Sequence, residues 1–200
     1  MPIISLSSFK GGVAKTTSSI HLGALFCEDG LTLVIDSDLN RSATTWARPG
    51  QLPFQVCGDR EATKLLRSQR FEWIIVDTPA RPSPAEVEEL ARGCDLLIIP
   101  TPPDTLSLDA TAQLARSLPP DANWKVLLTM VPPKPQKDGE QAALALKEND
   151  FPIFDQRIRF YKAYKDAAAL GTPVYKARGG KVGWRDWKAL KSEVIAALTK

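Results

Sequence analysis

The fold is decided by Phe9-Lys10-Gly11-Gly12-Val13-Ala14-Lys15-Thr16-Thr17, a stretch that follows directly on a short apolar run near the start of the chain. Glycines allow consecutive backbone N–H groups to turn inward around a phosphate. A helix that begins near Lys15 directs the positive end of its dipole at the same place. In such a loop the lysine binds the β- and γ-phosphates, and the hydroxyl of Thr16 ligates magnesium. The stretch therefore predicts a phosphate-binding loop that holds ATP with Mg²⁺.

Two positions of this loop depart from the general pattern G-x-x-x-x-G-K-[ST]. Phe9 stands where the first glycine belongs, and Ala14 stands where the second does. The alternative interpretation is an incidental Gly-Gly turn before a helix, but the Lys15-Thr16 pair and the strand–loop–helix context weigh against it. Lys10 is an additional lysine for which the general pattern has no counterpart, so the loop fits K-G-G-x-x-K-[ST] instead.

Short, nearly continuous apolar runs recur along the chain and alternate with segments that favour helices. Such runs are typical of strands buried on both faces of a parallel sheet. The alternation predicts an α/β fold of the P-loop NTPase type, a mostly parallel twisted sheet with helices on both faces, as one domain over residues 1–200. The predicted strands are residues 2–7, 32–36, 73–77, 96–100 and 124–129, and the predicted helices are residues 15–27, 84–91, 106–117 and 187–198.

Aspartates stand at the ends of two of these predicted strands. Asp36 and Asp38 end the second strand, and Asp77 ends the third. In an open parallel sheet, ligands bind beyond the carboxyl ends of the strands. Asp36 and Asp38 lie two residues apart, so both carboxylates face the phosphate loop if the strand geometry persists. The alternatives are a solvated strand end for the pair and a helix or turn cap for Asp77.

With these motifs the sequence resembles the ParA/MinD family of ATPases, across nearly the whole chain and most specifically at residues 10–17, 36–38 and 73–79. The resemblance implies that Lys10 reaches across a dimer interface to the partner's nucleotide, in the manner of an arginine finger. It also implies that Asp38 orients the attacking water, that Asp36 supports the metal site, and that Asp77 holds the magnesium shell. Residues 39–43 resemble the switch region that senses the γ-phosphate.

The resemblance further implies a set of residues for each role. The catalytic residues are Lys10, Lys15 and Asp38, and the metal-binding residues are Thr16, Asp36 and Asp77. The loop after the fifth predicted strand is expected to lie near the adenine. The residues expected to contact the nucleotide are Gly11, Gly12, Val13, Ala14, Lys15, Thr16, Thr17, Met130 and Pro132.

The formal net charge of +3 hides an uneven distribution of charge along the chain. Residues 1–156 carry 15 basic and 20 acidic side chains, whereas residues 157–200 carry 11 basic and 3 acidic ones. A concentrated basic end suggests a polyanionic partner, although scattered lysines more often form a solvated helix face. The resemblance favours a surface for nonspecific DNA, formed by Arg157, Arg159, Lys162, Lys181, Arg185 and Lys188.

The apolar runs are shorter than the ~20 residues that span a bilayer. The three widely spaced cysteines argue against a disulfide framework, so we expect a protein of the reducing cytoplasm. Trp184 and Trp187 near the end of the chain are expected in the core rather than at a membrane.

Within this resemblance, the short length and the missing N-terminal helix-turn-helix favour the small ParA proteins, such as ParF, with a carboxysome-positioning ATPase as one candidate. The resemblance implies an ATP-dependent homodimer on nucleoid DNA, with weak ATP hydrolysis that a cargo-bound adaptor of the ParB or McdB type stimulates. The cargo would be a plasmid, a chromosomal region or a carboxysome. Two alternatives are a P-loop ATPase of related fold that acts as a metabolic or carrier enzyme, and a MinD-like regulator recruited to membranes. The chain has no Cys-x-x-Cys late in its sequence and no basic–aromatic membrane helix, which weighs against both.

Overall fold

Parallel strands and the helices between them build the molecule, of which the computed structural model describes residues 1–199. The strands are β1 (Ile3–Ser8), β2 (Thr32–Asp36), β3 (Gln55–Gly58), β4 (Trp73–Ala80), β5 (Leu96–Thr101) and β6 (Trp124–Leu128). The helices are α1 (Lys15–Phe26), α2 (Ser42–Ala47), α3 (Asp59–Ser68), α4 (Pro84–Arg92), α5 (Thr105–Ala115), α6 (Asp138–Glu148), α7 (Ala163–Leu170) and α8 (Lys181–Leu198), with a 3-10 turn at Val174–Lys176. The strands form one sheet in the order β3-β2-β4-β1-β5-β6, and every neighbouring pair is parallel.

Successive strand residues point into cores on opposite faces of the sheet, which explains why these runs are apolar throughout. On β4, Ile75 belongs to the larger core with residues of α1 and α8, whereas Ile74 packs with residues of α3 on the other face. On β6, Leu127 belongs to the larger core and Val126 packs with residues of α6. Helices therefore cover both faces, and the predicted α/β fold is confirmed.

All five strands that the sequence predicts are present, and β4 continues three residues beyond its predicted end, to Ala80. Strand β3 was not predicted, because this edge strand has four residues and only Cys57 among them is buried. Helices α2 and α3 were not predicted either, since they bury only two residues and one residue respectively. Elements with so little apolar surface leave no periodic pattern to detect.

The segment that follows α6 extends the sheet beyond β6 without forming a regular strand. Ile153 and Arg159 make isolated parallel bridges to Val126 and Val131. Backbone hydrogen bonds from Ile158 to Leu128 and between Phe160 and Val131 continue this pairing. The segment therefore carries Arg159 and Phe160 to the carboxyl end of β6, beside the loop that begins at Met130.

Helix α8 begins at Lys181, six residues earlier than predicted, and packs one face on the larger core. Trp184 and Trp187 are buried there, which confirms their expected place in the core. Tyr164 on α7 joins the two helices, since its hydroxyl accepts a hydrogen bond from Trp187 Nε1 at 3.0 Å. Helix α7 ends at Leu170 and is capped by Gly171, whose φ of 67° is the left-handed conformation that glycine adopts most easily.

His21 fastens the phosphate-loop helix α1 to the C-terminal part of the chain. Its Nε2 accepts a hydrogen bond of 3.0 Å from the Val174 N–H, so the proton of the neutral ring lies on Nδ1. That Nδ1–H donates to the Thr17 carbonyl at 2.6 Å. The ring stacks on Trp187 and meets Trp46, Tyr164 and Trp184 at an angle. Complete burial lowers the pKa of His21 to about 4, so the ring is neutral at pH 7.

This buried histidine predicts a loss of stability in mild acid. The unfolded chain binds a proton near pH 6.5 and the folded chain only near pH 4, so the stability that His21 contributes is complete above pH 6.5. As the pH falls from 6.5 to 4, the free energy of unfolding should decrease by about 3 kcal/mol from this group. Urea unfolding at several pH values measures the decrease. His21→Gln serves as the reference, and an equal pH slope in both proteins would contradict the prediction.

Candidate nucleotide-binding site

A cavity of about 710 Å³ opens at the carboxyl end of the central strand β1. Its volume lies within the range of pockets that hold cofactor-sized ligands. The chain reverses the order of strand addition on either side of β1, and α/β folds bind ligands at such a point. Residues 10–18 form one wall of this cavity, and Asp38 and Asn40 line it beside them.

The loop of residues 9–14 has the backbone shape of an anion cradle. Gly12 and Ala14 have positive φ angles of 76° and 66°, which turn the chain between β1 and α1. Within residues 1–199, the N–H groups of residues 11–14 donate to no other group of the protein. Thr129 at the end of β6 holds the loop from behind, since its hydroxyl donates to the Val13 carbonyl at 3.0 Å. These free N–H groups and the N-terminus of α1 can bind phosphate oxygens.

Lys15 places its ammonium group between two carboxylates at the base of this cradle. Its Nζ lies 3.8 Å from Asp38 Oδ2 and 4.0 Å from Asp77 Oδ1. Asp38 Oδ1 accepts a hydrogen bond of 2.9 Å from the Asn40 N–H, which fixes the carboxylate at the edge of the cavity. The structure thus brings together the lysine and two of the three aspartates that the sequence placed in one site.

Asp77 lies within β4, three residues before its end, where it is fully buried and joins the phosphate loop to the sheet. Its Oδ2 accepts a hydrogen bond of 2.7 Å from the Thr16 hydroxyl, and its Oδ1 accepts one of 3.0 Å from the Ser19 hydroxyl. Burial raises the pKa of Asp77, and nearby Lys15 and the two hydroxyl donors oppose that effect. A hydroxyl and a carboxylate in this contact are oxygen ligands of the kind that Mg²⁺ prefers, directly or through water.

Asp36 is oriented differently from the expectation that both carboxylates of the pair face the phosphate loop. Strand β2 ends at Asp36, so the strand alternation does not continue to Asp38. Asp36 Oδ2 accepts hydrogen bonds from the Thr44 N–H at 2.8 Å and the Thr44 hydroxyl at 2.7 Å, and its Oδ1 is buried without a partner in the described residues. The carboxylate therefore anchors α2, and a part for it in metal binding stays a prediction.

Lys10 lies at the mouth of the cavity, and its side chain rests on the N-terminus of α5. Its Nζ donates to Asp104 Oδ1 at 3.0 Å and to the Ser107 hydroxyl at 2.9 Å. Its backbone is held at the start of the loop, since its N–H donates to Ser8 Oγ at 3.1 Å. The two lysines of the loop therefore occupy separate places, with Lys15 inside the phosphate cradle and Lys10 outside it.

Of the two residues in the loop after β6 that are expected to contact the nucleotide, only one lines the cavity. Met130 lines the cavity, whereas Pro132 lines a neighbouring groove of about 600 Å³. Phe160, which the sequence did not single out, also lines the cavity and is 43% exposed, so its ring is available to a base. Arg159 reaches both cavity and groove, but its guanidinium is held by Asp186 of α8 at 2.6 Å.

The six residues expected to bind DNA fall into two groups. Lys181, Arg185 and Lys188 are exposed on successive turns of α8, and Lys162 is exposed at the start of α7. Arg157 and Arg159 are partly buried in the segment beside β6, and Arg159 is engaged with Asp186. The exposed face of α8 thus carries three of the four exposed members of the basic set.

Several residues of the site were missed by the sequence reasoning. Ser19 follows Thr16 by three positions and shares its helix face, so its contact with Asp77 could have been found from helical spacing. Thr44, Thr129 and Asp104 reach the site only through the packing of distant segments. The sequence carries no local signal for these three contacts.

Two other features are absent from the described residues 1–199. No helix among them is long and apolar enough to cross a membrane. They contain no group of three or more His, Cys, Asp or Glu side chains placed to hold a metal ion.

Comparisons with known proteins agree with this geometry. A model of the CobQ/CobB/MinD/ParA nucleotide binding domain matches residues 4–174. The maintenance of carboxysome distribution protein A of Gloeobacter kilaueensis is 32% identical over 185 residues, which cover 88% of this chain and 85% of that protein.

Two solved structures of McdA from Cyanothece share the fold. The apo structure superposes with a TM-score of 0.77 at 18% identity and covers 97% of this chain and 99% of its own. The ATP complex of an aspartate-to-alanine variant superposes with a TM-score of 0.70 at 17% identity, over 97% and 96% of the two chains.

Proposed function

The chain belongs to the CobQ/CobB/MinD/ParA family of nucleotide-binding domains and is an ATPase of the ParA/MinD type, and from that premise we propose that it positions a cargo on nucleoid DNA by a cycle of ATP-dependent pairing and hydrolysis. The observation that carries this proposal is the additional lysine of the phosphate loop, Lys10, whose side chain lies outside the phosphate cradle of its own protomer. A P-loop that acts alone needs Lys15 and has no use for Lys10.

The chemistry follows from the arrangement of the loop and the aspartates. The N–H groups of residues 11–14 and the Lys15 ammonium bind the phosphates and hold the γ-phosphoryl group for transfer. Thr16 and Asp77 would hold magnesium, which would supply positive charge to stabilise the phosphate oxygens during transfer. Asp38 lies at the edge of the same cavity and orients a water molecule toward the γ-phosphorus.

Pairing of two protomers over their nucleotides completes each site. Lys10 lies at the mouth of the cavity, so a second copy facing this mouth receives its ammonium group near the bound phosphates. A cation supplied in trans stabilises the charge of the transition state. ATP binding would then favour the pair, and hydrolysis would release it.

The DNA-binding surface of the pair is the exposed face of α8. Lys181, Arg185 and Lys188 lie on one side of this helix, opposite the buried Trp187 and Leu190. Pairing doubles the number of phosphate contacts, and nonspecific affinity depends steeply on that number. DNA binding therefore becomes dependent on ATP.

We expect the combined Arg185→Ala and Lys188→Ala variant to lose nonspecific DNA affinity. A dimer then lacks four phosphate contacts, so the slope of log K against log salt should decrease in magnitude by about 3.6, and affinity should fall roughly tenfold or more. Fluorescence anisotropy with a random duplex, ATP and Mg²⁺ measures both. The matched control is Lys64→Ala with Arg67→Ala on exposed positions of α3. Equal losses in the two variants, or equal binding without ATP, would refute the proposed DNA surface.

Carboxysomes are the cargo that the comparisons favour, because the Gloeobacter kilaueensis relative carries that function in its name. An adaptor of the McdB type on the carboxysome surface would stimulate hydrolysis and release the pair from DNA. The test is to delete the gene in its own host and image labelled carboxysomes. Clustering that the parent gene reverses supports this cargo, and an unchanged distribution refutes it while the ATPase cycle remains testable in vitro.

A further inference from the structure

The N-terminus of α5 offers Lys10 a binding place on its own protomer. Asp104 is the N-cap of this helix, and its Oδ1 accepts hydrogen bonds from the Ser107 N–H at 3.0 Å and from Lys10 Nζ at 3.0 Å. Ser107 is buried, and its hydroxyl donates to Asp104 Oδ2 at 2.7 Å. A hydroxyl has one proton to donate, so the contact of 2.9 Å between Lys10 and Ser107 is one in which the hydroxyl accepts.

This contact involves the side chain of Lys10 alone. The backbone of Lys10 is fixed by Ser8, whose hydroxyl accepts from the Lys10 N–H and donates to the Lys10 carbonyl at 3.0 Å. Asp104 and Ser107 belong to a helix that begins after β5, the strand beside β1 in the sheet. A rotation of the Lys10 side chain is therefore sufficient to move its ammonium group from Asp104 and Ser107 to another anion in front of the cavity.

We infer that Asp104 and Ser107 are positioning residues that hold Lys10 on its own protomer and thereby oppose nucleotide-dependent pairing. The inference rests on the proposed function, in which Lys10 binds the partner's nucleotide. The ammonium group cannot serve the carboxylate and a partner's phosphates at once, so each protomer gives up its contact with Asp104 when the pair forms. The polyphosphate of a bound nucleotide carries more negative charge than the Asp104 carboxylate, so it attracts the Lys10 ammonium group more strongly. Without a nucleotide, Lys10 stays with Asp104.

Exposure to solvent limits the strength of the ion pair between Lys10 and Asp104, which is called the hold below. The side chains of Lys10 and Asp104 are 37% and 50% exposed, so water and salt screen their attraction. Ion pairs of this kind change an equilibrium constant by a factor of about 1.4 to 5. Because two lysines move when one pair forms, loss of the hold should strengthen pairing roughly 2- to 25-fold.

The test uses Asp104→Asn, because asparagine caps a helix as well as aspartate does and lacks the charge that attracts Lys10. Asp109→Asn is the matched control, since Asp109 is an exposed aspartate on the same helix. Analytical ultracentrifugation of the full chain with AMPPNP and Mg²⁺ gives the dimer dissociation constant. A second readout is the rate at which a succinimidyl ester labels the Lys10 amine in the protein without nucleotide, followed by mass spectrometry.

We expect Asp104→Asn to lower the dimer dissociation constant by the stated factor, to label faster at Lys10, and to keep the parent's melting temperature to within about 2 °C. The difference in dissociation constant should shrink as salt is raised. An unchanged or weaker dimer in Asp104→Asn would overturn the inference, as would an equal effect in Asp109→Asn. If the parent itself stays monomeric with AMPPNP, the proposed function fails, whereas the labelling rate still reports whether Asp104 holds Lys10.

Discussion

The Asp38→Ala variant should still bind ATP but hydrolyse it about 10²- to 10⁴-fold more slowly. This is the range by which a positioned carboxylate accelerates such reactions. The Asp38 carboxylate lies 3.8 Å from Lys15 and is fixed by the Asn40 N–H, so it is held at the edge of the phosphate cradle, where the proposed function has it orient a water molecule. Its removal takes a negative charge away from the phosphate cradle, and ATP binding should be unchanged or tighter. Single-turnover hydrolysis and equilibrium binding of a fluorescent ATP analogue measure the two effects separately.

Asp38→Asn separates two contributions to this effect. The amide oxygen of asparagine can still accept from the Asn40 N–H, but the group has no negative charge. If Asp38 acts by its charge, both variants lose activity to the same extent. If it acts by holding the switch segment in place, Asp38→Asn keeps most of its turnover. Hydrolysis within twofold of the parent in Asp38→Ala would remove this residue from the mechanism.

The residues that the structure brings together as the sequence predicts are identified by short-range chemistry. The phosphate loop is defined by neighbouring residues, and Asp77 is marked by the run of four apolar residues that precedes it. Asp36 shows where that reasoning stops, because its predicted direction assumed two more residues of strand. Strand β2 ends at Asp36, and Thr44 of α2 captures the carboxylate instead. Local alternation can be extrapolated only as far as the strand itself continues.

The parts that the sequence did not predict depend on the order of strands. Lys10 meets Asp104 because β5 lies beside β1, although the two residues are 94 positions apart. Arg159 reaches the cavity because the segment after α6 pairs with β6. That pairing also places Arg159 beside Asp186, to which its guanidinium donates hydrogen bonds. A residue predicted to bind DNA is therefore engaged in an ion pair within the protomer. Such contacts follow from topology, which residue spacing does not specify.

Lys10→Ala should keep nucleotide binding to the monomer, lose ATP-dependent pairing, and lower turnover by about 10³-fold or more, as removal of a cation supplied in trans does. The reason is geometric, since Lys15 and the N–H groups of residues 11–14 form the phosphate cradle without Lys10. Sedimentation with AMPPNP and a turnover assay measure these effects. A Lys10→Ala protein that pairs and hydrolyses ATP as the parent does would contradict the prediction.

Mixing Lys10→Ala with Asp38→Ala distinguishes a trans lysine from one that acts within its own protomer. In a mixed pair, the Lys10→Ala protomer retains its own Asp38 and receives Lys10 from its partner, so one of the two sites is complete. A mixed pair keeps one of its two trans lysines, so it pairs more weakly than the parent. Random pairing sets the upper limit at about a quarter of the parent's turnover, because half of the pairs would then be mixed and half of their sites complete. If both residues served the same protomer's nucleotide, neither variant could complete the other, and the mixture would stay as inactive as its components.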